Sequence, residues 1–335
     1  MSVPTINDVA KAAGVSKRTV SRVINSAPGT KEETRRRVLK VIEELQYSPN
    51  VLAQRLARGE TGIMGVFAYE QAFPLERESF YYPFLEGIEL QARDLGYDLL
   101  LFTQGIGGEQ RSLYDGNRNR THLADGLILM GGQSSKQDLR RLCEDQVPFV
   151  CIGKRTIPGL VIRCVDPEYQ AIYADVTRKL IKLGHRHIGF IGGTDNEPDQ
   201  DKLAGYRRAV DVANLPRIEC LDSDTHNVKG MVDFLRRPDR PSTALIVNYS
   251  HVITELCTEL TRRSLSIPAD ISLVAFDAIG AQYGSLPLAH IQMKKQDMAK
   301  QAVTLLRDTL KGETEQIVAK VPCHFVDGES IAPPR

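Results

Sequence analysis

The sequence lacks the long apolar segments of membrane and secreted proteins. No run of about eighteen apolar residues occurs among its 335 residues, and no apolar signal segment follows Met1. We therefore expect neither a membrane span nor secretion, and a cytoplasmic location.

Sequence signatures of catalysis are also missing. There is no G-x-S-x-G nucleophile turn and no Walker phosphate loop. The nearest approach to a dinucleotide fingerprint has Gly105, Gly107 and Gly108, but Gln110 occupies the position of the third glycine. Catalysis is the weaker hypothesis, and we expect neither an enzyme nor a bound cofactor.

Metal-binding patterns are absent from the cysteines and histidines. The six cysteines show no C-x-x-C spacing, and most lie in apolar runs typical of small buried side chains in a reducing compartment. The closest histidines, His185 and His187, would point to opposite sides of a strand. We therefore expect no metal site.

Length and charge distribution indicate a small basic domain followed by a larger body. The net charge of the chain is +1, but residues 1–60 hold 11 Lys/Arg against 6 Asp/Glu and the remainder holds 32 against 36. Positive charge is thus concentrated in the first sixty residues, where a nucleic acid would be bound. The remaining length suits about two domains.

The first basic segment has the pattern of a helix-turn-helix. Ile6, Val9, Ala10 and Ala13 recur at the spacing of one helical face, and a short turn containing Gly14 precedes a second apolar-spaced segment. Thr5 and Ser16 are expected to cap the two helices.

The outer face of the second helix carries Lys17, Arg18, Ser21 and Arg22, whose donors can reach guanine acceptors or phosphates in the major groove. A solvated basic face is the alternative. Two capped helices with a turn of the right length favour DNA.

A third helix is predicted after Thr30 and Glu33, which are spaced as a capping box. Its apolar stripe would close a three-helix core. The other face carries Arg35, Arg36, Arg37 and Lys40, which could contact phosphates or water.

Residues 50–58 form a short helix-prone segment between Pro49 and Gly59. So short a helix is marginal in water, so we expect weak order until a partner holds it. An ordinary interdomain linker is the alternative.

Three stretches, TINDVAKAAGVSKRTVSRVIN, TRRRVLKVIEELQYSPN and VLAQRLARG, closely resemble the DNA-binding headpiece (1–48) and hinge (49–60) of the lactose-repressor/galactose-repressor (LacI/GalR) family of bacterial transcription regulators. The resemblance implies base reading by Lys17, Arg18 and Arg22, and a minor-groove wedge at Leu56. The full set of expected DNA-binding residues is Thr5, Ser16, Lys17, Arg18, Thr19, Ser21, Arg22, Asn25, Asn50, Ala53, Leu56 and Ala57.

Residues 61–335 alternate between apolar runs and helical patterns. Continuous apolar runs are typical of parallel strands covered on both faces, and the alternation predicts two doubly wound α/β units divided near residues 160–165. The predicted strands cover 63–68, 98–103, 126–130, 149–153, 187–193, 243–248 and 271–276. The predicted helices cover 83–95, 109–122, 136–143, 169–183, 202–212, 228–235 and 252–263.

The family's body is like a periplasmic sugar-binding protein, with two lobes joined by three chain crossings. The resemblance implies one lobe of about 61–161 plus 291–321, and a second of 162–290 plus 322–332. These domains would bind the effector and mediate dimerisation.

Ligands of open α/β sheets bind beyond the carboxyl ends of the strands. Aromatic and polar residues that follow the apolar runs therefore suit a sugar. The expected effector-binding residues are Phe80, Tyr81, Arg155, Tyr249 and Asp277. The resemblance supports Phe80, Tyr81 and Asp277, for which an aromatic core position and a surface cap are the alternatives.

Two segments depart from the family pattern. Tyr249 and Ser250 replace a common Asn-Asp pair, and an acid-rich loop, residues 194–201, stands where several members offer an arginine. The changed pocket could bind a cationic or richly hydroxylated effector, or none.

These features together predict a sequence-specific DNA-binding regulator, an allosteric repressor of carbohydrate-related genes. By resemblance it would be a nucleoid-associated homodimer or dimer of dimers on a palindromic operator, controlled by a small sugar-like effector.

Overall fold

The computed structural model describes residues 4–25, 27–47, 60–69, 80–103, 111–115, 118–131, 134–221, 227–236, 241–277 and 282–335. The chain divides into two units, Met1–Gly62 and Ile63–Arg335. The helices are α1 (Ile6–Ala13), α2 (Lys17–Ile24), α3 (Glu32–Glu44), α4 (Tyr82–Asp94), α5 (Lys136–Glu144), α6 (Tyr169–Lys182), α7 (Glu197–Val212), α8 (Val228–Leu235), α9 (Ile253–Arg262) and α10 (Lys295–Lys311).

The first unit packs α1, α2 and α3 around a small aliphatic core. The Asp8 carboxylate accepts hydrogen bonds from the Thr5 backbone N–H (2.8 Å) and hydroxyl (2.7 Å), which fixes the start of α1. Gly14 ends α1 at φ 63°, a left-handed conformation that favours glycine. The buried core residues are Val9, Ala10, Ala13, Val20, Val23, Val38 and Val41.

The predicted Thr30–Glu33 capping box is wrong. Helix α3 begins at Glu32, with Lys31 at its N-cap and no side-chain cap hydrogen bond. Two glutamates in the first turn, Glu32 and Glu33, instead complement the positive end of the helix dipole.

The second unit contains two mostly parallel sheets, which confirms the two α/β units predicted from the alternating pattern, and each sheet has six strands among the residues that the structure describes. The first is parallel throughout, in the order β15-β7-β6-β5-β1-β2. Its strands are β1 (Ile63–Ala68), β2 (Asp98–Leu101), β5 (Gly126–Met130), β6 (Phe149–Ile152), β7 (Cys164–Asp166) and β15 (Val318–Lys320).

The second sheet has the order β16-β14-β11-β10-β8-β9, with only its edge strand β16 antiparallel to its neighbour. Its strands are β8 (Ile188–Ile191), β9 (Ile218–Cys220), β10 (Ala244–Val247), β11 (Ser272–Phe276), β14 (Ala289–Gln292) and β16 (His324–Val326). Two short hairpins pair β3 (Tyr114–Asp115) with β4 (Arg118–Asn119), and β12 (Gln282–Tyr283) with β13 (Leu286–Pro287).

Continuous apolar runs predicted the central strands well because helices cover both faces. Every residue of β5, β6, β8, β10 and β11 is buried. The edge strand β2 is partly exposed and ends at Leu101, two residues before the predicted end.

The helix predicted over 109–122 is wrong in its described part. Residues 111–122 contain the β3–β4 hairpin and the start of a 3₁₀ turn, Thr121–Leu123. Asp138 accepts hydrogen bonds from the Ser112 hydroxyl (2.8 Å) and the Leu113 N–H (2.9 Å), so this segment is fixed to α5. An Asp-Gly pair at 115–116 is also a hairpin signal rather than a helical one.

The first turn of α7 was also predicted incorrectly. The helix begins at Glu197 and not at residue 202, so residues 197–201 of the acid-rich loop are helical. The Asn196 side chain accepts from the Asp199 N–H (2.9 Å), and Pro198 lies in the first turn.

Strand pairing corrects two lobe boundaries. Strand β7 pairs with β6 and β15, so the first lobe extends to Asp166 rather than to 161. Strand β14 pairs with β11, so residues 291 and 292 belong to the second sheet and not to the first. Within the described residues the chain passes between the sheets three times, at 167–168, 293–294 and 321–323.

The end of the chain is anchored to the second sheet. The Ser330 hydroxyl donates to the Leu273 carbonyl (2.6 Å) and accepts from the Ala289 N–H (2.8 Å). His185 contacts the Thr243 hydroxyl and the Ala332 carbonyl at 2.9 Å each, and burial lowers its pKa. His185 is therefore held by structural hydrogen bonds.

None of the helices in the described ranges is both long and apolar enough to cross a bilayer.

Gly205 provides a test of the packing between α6 and α7. A Cβ at this position would lie 2.8 Å from the Cβ of Tyr173 and closer still to the Gln170 carbonyl oxygen. We expect Gly205→Ala to lower the free energy of unfolding by about 1–3 kcal/mol through overpacking. Calorimetry should show a lower melting temperature for the second unit.

The control is Arg208→Ala on the exposed face of the same helix, which should be near neutral. An unchanged or higher melting temperature for Gly205→Ala would contradict this packing, because alanine intrinsically favours a helix over glycine.

Candidate nucleic-acid interface and ligand cavity

Helix α2 presents two exposed charged residues at its first turn. Ser16 caps the helix by accepting from the Thr19 N–H (3.2 Å), and its hydroxyl lies 2.9 Å from the Thr19 hydroxyl. Lys17 and Arg18 are exposed, while Val20 and Val23 are buried in the core. The helix thus has one buried apolar face and an accessible cationic end, the arrangement needed to enter a major groove.

Arg22 and Asn25 make contacts within the first unit. Arg22 donates from Nη2 to the Pro28 carbonyl in the loop before α3. Asn25, at the C-cap of α2, donates from Nδ2 to the Ser21 carbonyl (2.9 Å) and to its hydroxyl (3.3 Å). Asn25 therefore closes the last turn of α2, and the contact of Arg22 with Pro28 uses only one of its five N–H donors.

The basic face of α3 is well solvated. Arg36 pairs with Glu32 at 3.3 Å and Lys40 with Glu44 at 3.7 Å, all with largely exposed side chains. Exposed pairs of this kind contribute little to stability and can exchange their partners readily. The hinge residues Asn50, Ala53, Leu56 and Ala57 lie outside the described residues.

A cavity of about 190 Å³ lies between the two sheets of the second unit, at the carboxyl ends of several strands. Met130, Ile152 and Phe276 are the last residues of β5, β6 and β11, so both lobes contribute to its wall. Its lining residues are Phe80, Tyr81, Phe84, Met130, Gly131, Ile152, Gly153, Arg155, Tyr169, Asn196, Pro198, Asp199, Lys202, Phe276, Met293 and Met298.

Three of the five predicted effector residues line this cavity. Phe80 and Tyr81 meet edge to face, with ring centroids 5.3 Å apart, and Arg155 also lines the cavity. Tyr249 does not line it but packs against the apolar cluster of the second lobe. Asp277 lines a neighbouring opening.

Asp277 is instead half of a buried ion pair that joins the lobes. Its carboxylate lies 2.5 Å from Nζ of Lys295, the first residue of α10, and accepts from the Met293 N–H (3.3 Å). The side chains are 6% and 9% exposed. Burial raises the pKa of Asp277, while the Lys295 charge opposes that shift.

A polar network that the sequence did not reveal centres on Asp199. Its carboxylate accepts from Asn248 Nδ2 (2.8 Å) and from Asn196 Nδ2 (2.9 Å). The Tyr173 hydroxyl donates to Asn248 Oδ1 (2.8 Å). Lys202 lies 3.4 Å from Asp199, so donors of the protein itself neutralise this carboxylate.

Lys202 is a buried cation among aromatic rings. Its Nζ lies 4.0 Å from the ring centroid of Phe276 and 4.7 Å from that of Tyr169. Desolvation lowers the pKa of Lys202, and the charge of Asp199 partly offsets this effect.

Arg155 is held by neutral oxygens. Its Nε donates to the Ser134 hydroxyl (2.7 Å), Nη1 to the Lys154 carbonyl (2.6 Å), and Nη2 to the Gly131 carbonyl. None of the described carboxylates lies within ion-pair distance of this guanidinium, whereas the neighbouring Lys154 pairs with Asp201 at 3.4 Å.

Sequence reasoning missed Asp199, Lys202 and Asn248 for identifiable reasons. The first two lie one turn apart on a helix whose first turn was taken for a loop, so their shared face was not recognised. Asn248 was treated as the end of a strand, although a buried amide next to a cavity usually has a hydrogen-bonding role.

The described residues include no cluster of three or more His, Cys, Asp or Glu suited to a metal ion.

Comparison with known proteins gives matches over both units. A model described as "Bacterial regulatory proteins, lacI family" matches residues 5–50, and one described as "Periplasmic binding protein-like domain" matches residues 177–331. Catabolite control protein A of Priestia megaterium is 30% identical over 321 residues, covering 92% of this chain and 93% of that protein. The HTH-type transcriptional regulator GalR of Salmonella typhimurium strain LT2 is 31% identical over 310 residues, covering 90% and 88%.

Solved structures share the fold. A transcriptional regulator CelR–cellobiose complex gives a TM-score of 0.68 at 25% identity, covering 98% of this chain and 99% of that chain. The Lac repressor dimer bound to operator and the anti-inducer ONPF gives 0.75 at 21% identity, covering 99% and 100%.

The Asp277–Lys295 pair yields a stability prediction. Lys295→Met leaves a buried carboxylate without its counter-charge, so we expect the free energy of unfolding at neutral pH to fall by about 3–5 kcal/mol. Adding Asp277→Asn should recover most of this loss, because it removes the unpaired charge. Asparagine also tolerates the φ of 46° at this position.

The deficit of Lys295→Met should also depend on pH. Lys295 lowers the pKa of Asp277 against the effect of burial, so Lys295→Met should raise the folded-state pKa of Asp277 further above that of the unfolded chain. Acidification should therefore reduce the deficit, which should grow as pH rises through the folded pKa. A deficit that is constant with pH in chemical denaturation would rule out an unpaired Asp277 as its cause.

Proposed function

Because this chain belongs to the lacI family of bacterial regulatory proteins, it is a DNA-binding transcriptional regulator controlled by a small-molecule effector, and we propose that it represses carbohydrate-related genes. The observation that carries this proposal is the cavity whose wall is shared by both lobes, because a ligand there can favour one lobe arrangement over another.

We infer that α2 enters the major groove with its N-terminal end toward the bases. The exposed Lys17 and Arg18, and the remaining N–H donors of Arg22, support base reading, while the solvated cations of α3 suit phosphates. The complete proposed DNA-binding set is Thr5, Ser16, Lys17, Arg18, Thr19, Ser21, Arg22, Asn25, Asn50, Ala53, Leu56 and Ala57.

The proposed assembly is a homodimer or a dimer of dimers on a palindromic operator. One three-helix headpiece reads only a few base pairs, and two related by a twofold axis double both the bases read and the phosphates neutralised. Such an assembly would be associated with the nucleoid.

The proposed switch is a coupling between the cavity and the hinge. The lobes are joined by three short crossings and the Asp277–Lys295 pair, so a ligand that changes their relative angle would change the separation of two hinges in a dimer. The hinge helices would then order or melt, and operator affinity would follow through that coupling free energy. The proposed effector contacts are Phe80, Tyr81 and Arg155 in the cavity wall, joined by Asp199 and Lys202.

The function can be tested with the full chain and DNA fragments selected from a genomic library. We expect fluorescence anisotropy at physiological salt to show binding to a selected palindrome about a thousandfold tighter than to bulk genomic duplex. A sugar found by thermal-shift screening should change that preference. Equal affinity for all DNA, with and without ligands, would refute the proposal.

Arg22→Ala should erode discrimination between operator and random DNA. If Arg22 makes a bidentate guanine contact, its loss costs about 1–3 kcal/mol for the operator and little for other sequences. Competition binding against a panel of operator variants should show the loss of preference at one base position. An equal loss of affinity for all sequences would assign Arg22 to the backbone instead.

Arg36→Ala provides the contrasting case. A phosphate contact carries no sequence information, so this variant should weaken binding to all duplexes similarly and reduce the salt slope by about one. The measurement is affinity against salt concentration. A selective loss for the operator alone would disprove the phosphate role.

Leu56→Gly should abolish operator bending while leaving the second unit folded, because glycine offers no side chain to insert between base steps. Circular-permutation gel shifts report the bend angle. The matched control is Leu56→Met, whose apolar side chain can still insert. Unchanged bending with glycine would exclude the wedge.

A further inference from the structure

Two carboxylates at the cavity and its neighbouring opening, Asp199 and Asp277, are already neutralised by the protein. Asp199 accepts from Asn248, Asn196 and Lys202, and Asp277 is paired with Lys295. Neither carboxylate therefore presents a charge without a partner to a ligand. A cationic effector, which the acid-rich sequence suggested, would compete with these internal donors.

The positive charge of Arg155 is not compensated in this way. A guanidinium has five N–H donors, and within the described residues three of them go to the neutral oxygens of Ser134, Lys154 and Gly131. One N–H remains on each terminal nitrogen. The two terminal nitrogens of an arginine can together bind two oxygens of one carboxylate or phosphate.

The position of Arg155 fits a ligand-binding role. It follows β6 and lines both the main cavity and an adjoining opening. The adjoining opening also contains Asp195 and Glu197, whereas among the described residues the only carboxylate that lines the main cavity is Asp199. Three anchored donors fix the guanidinium plane before a ligand arrives, which lowers the entropic cost of binding.

Lys202 adds a second cation on the other lobe. It is 6% exposed and has a carboxylate partner at 3.4 Å that is shared with two amides. An anion entering the cavity would offset the desolvation of this ammonium group, which aromatic faces compensate only in part.

The cavity also limits the size of the ligand. Its volume of about 190 Å³ is below the ~300–1,000 Å³ typical of drug-sized ligands. Its five described aromatic residues suit the C–H face of one sugar ring; they are Phe80, Tyr81, Phe84, Tyr169 and Phe276.

We propose, building on the effector role inferred above, that the ligand is a monosaccharide-sized polyol with an anionic group, carboxylate or phosphate, which the two remaining N–H donors of Arg155 bind as a fork. Lys202 contributes the second positive charge from the opposite lobe. Binding of this anion would draw cations of both lobes toward one ligand and favour closure of the cleft.

The experiment is titration calorimetry of the full-length protein with glucose, galactose, their 6-phosphates and the corresponding uronates and aldonates, with spermidine as a cationic comparison. We expect at least one acidic sugar to bind about tenfold or more tightly than its neutral parent. If a phosphate is bound, its affinity should rise between pH 5 and 7.5 as the second proton is lost, whereas carboxylate binding should be flat.

Variants identify the group responsible. Arg155→Gln should weaken the acidic ligand about 10- to 100-fold and weaken the neutral parent much less, because glutamine can still donate a hydrogen bond but carries no charge. Arg155→Lys keeps the charge without the fork and should lose less. The matched control, Arg217→Gln, removes an exposed arginine paired with Asp211 and should change neither affinity; melting temperatures check that each variant is folded.

The proposal is overturned if neutral sugars or spermidine bind as tightly as the acids, if no acidic sugar binds, or if Arg155→Gln leaves the acid affinity unchanged. Failure of the proposed function is distinguishable. In that case an acidic sugar binds through Arg155 but does not change operator affinity in the anisotropy assay, so the chemistry of the cavity stands without the regulatory role.

Discussion

The buried ion pair between Asp277 and Lys295 is the contact on which the geometry of the body depends. Asp277 directly follows a strand of the second sheet, and Lys295 begins the helix that packs on the first sheet and on α4. Each charge is costly to bury alone, so the two charges stay together. Their contact also holds the crossing at residues 293–294 in place. The Lys295 ammonium also lies 4.3 Å from the ring centroid of Phe80, which connects the pair to the cavity wall. A change in the cavity is therefore close to the contact that sets the relation of the lobes.

Much of the fold could be predicted from local patterns because these patterns are dictated by burial. The runs at 63–68 and 126–130 coincide with β1 and β5, since strands covered on both faces must be apolar at every position. Helices α1 and α2 were recognisable from their spacing and from Thr5 and Ser16, whose polar atoms satisfy the helix ends. The strands β7, β9 and β14 were not predicted because polar residues interrupt their short apolar runs, with Arg163 before β7, Glu219 in β9 and His290 in β14.

The candidate site was less predictable because it depends on contacts between distant residues. The prediction for Arg155 rested on a general rule about strand ends, and the cavity includes it. Asp277 also follows a strand, but its partner Lys295 lies eighteen positions away, and nothing in the sequence connects the two. The Asp199–Asn248–Tyr173 chain joins three elements, so only tertiary structure reveals that the carboxylate is already neutralised.

The interleaved path of the chain has a consequence for synthesis. The headpiece is made of neighbouring helices and can acquire its structure as soon as about fifty residues have left the ribosome. Neither sheet of the body has its full set of strands until residues 318–320 and 324–326 have emerged, because these supply an edge strand to each. Both lobes therefore need the same late segment to complete their folding. A nascent chain can have a folded DNA-binding headpiece well before its effector-binding cavity has formed.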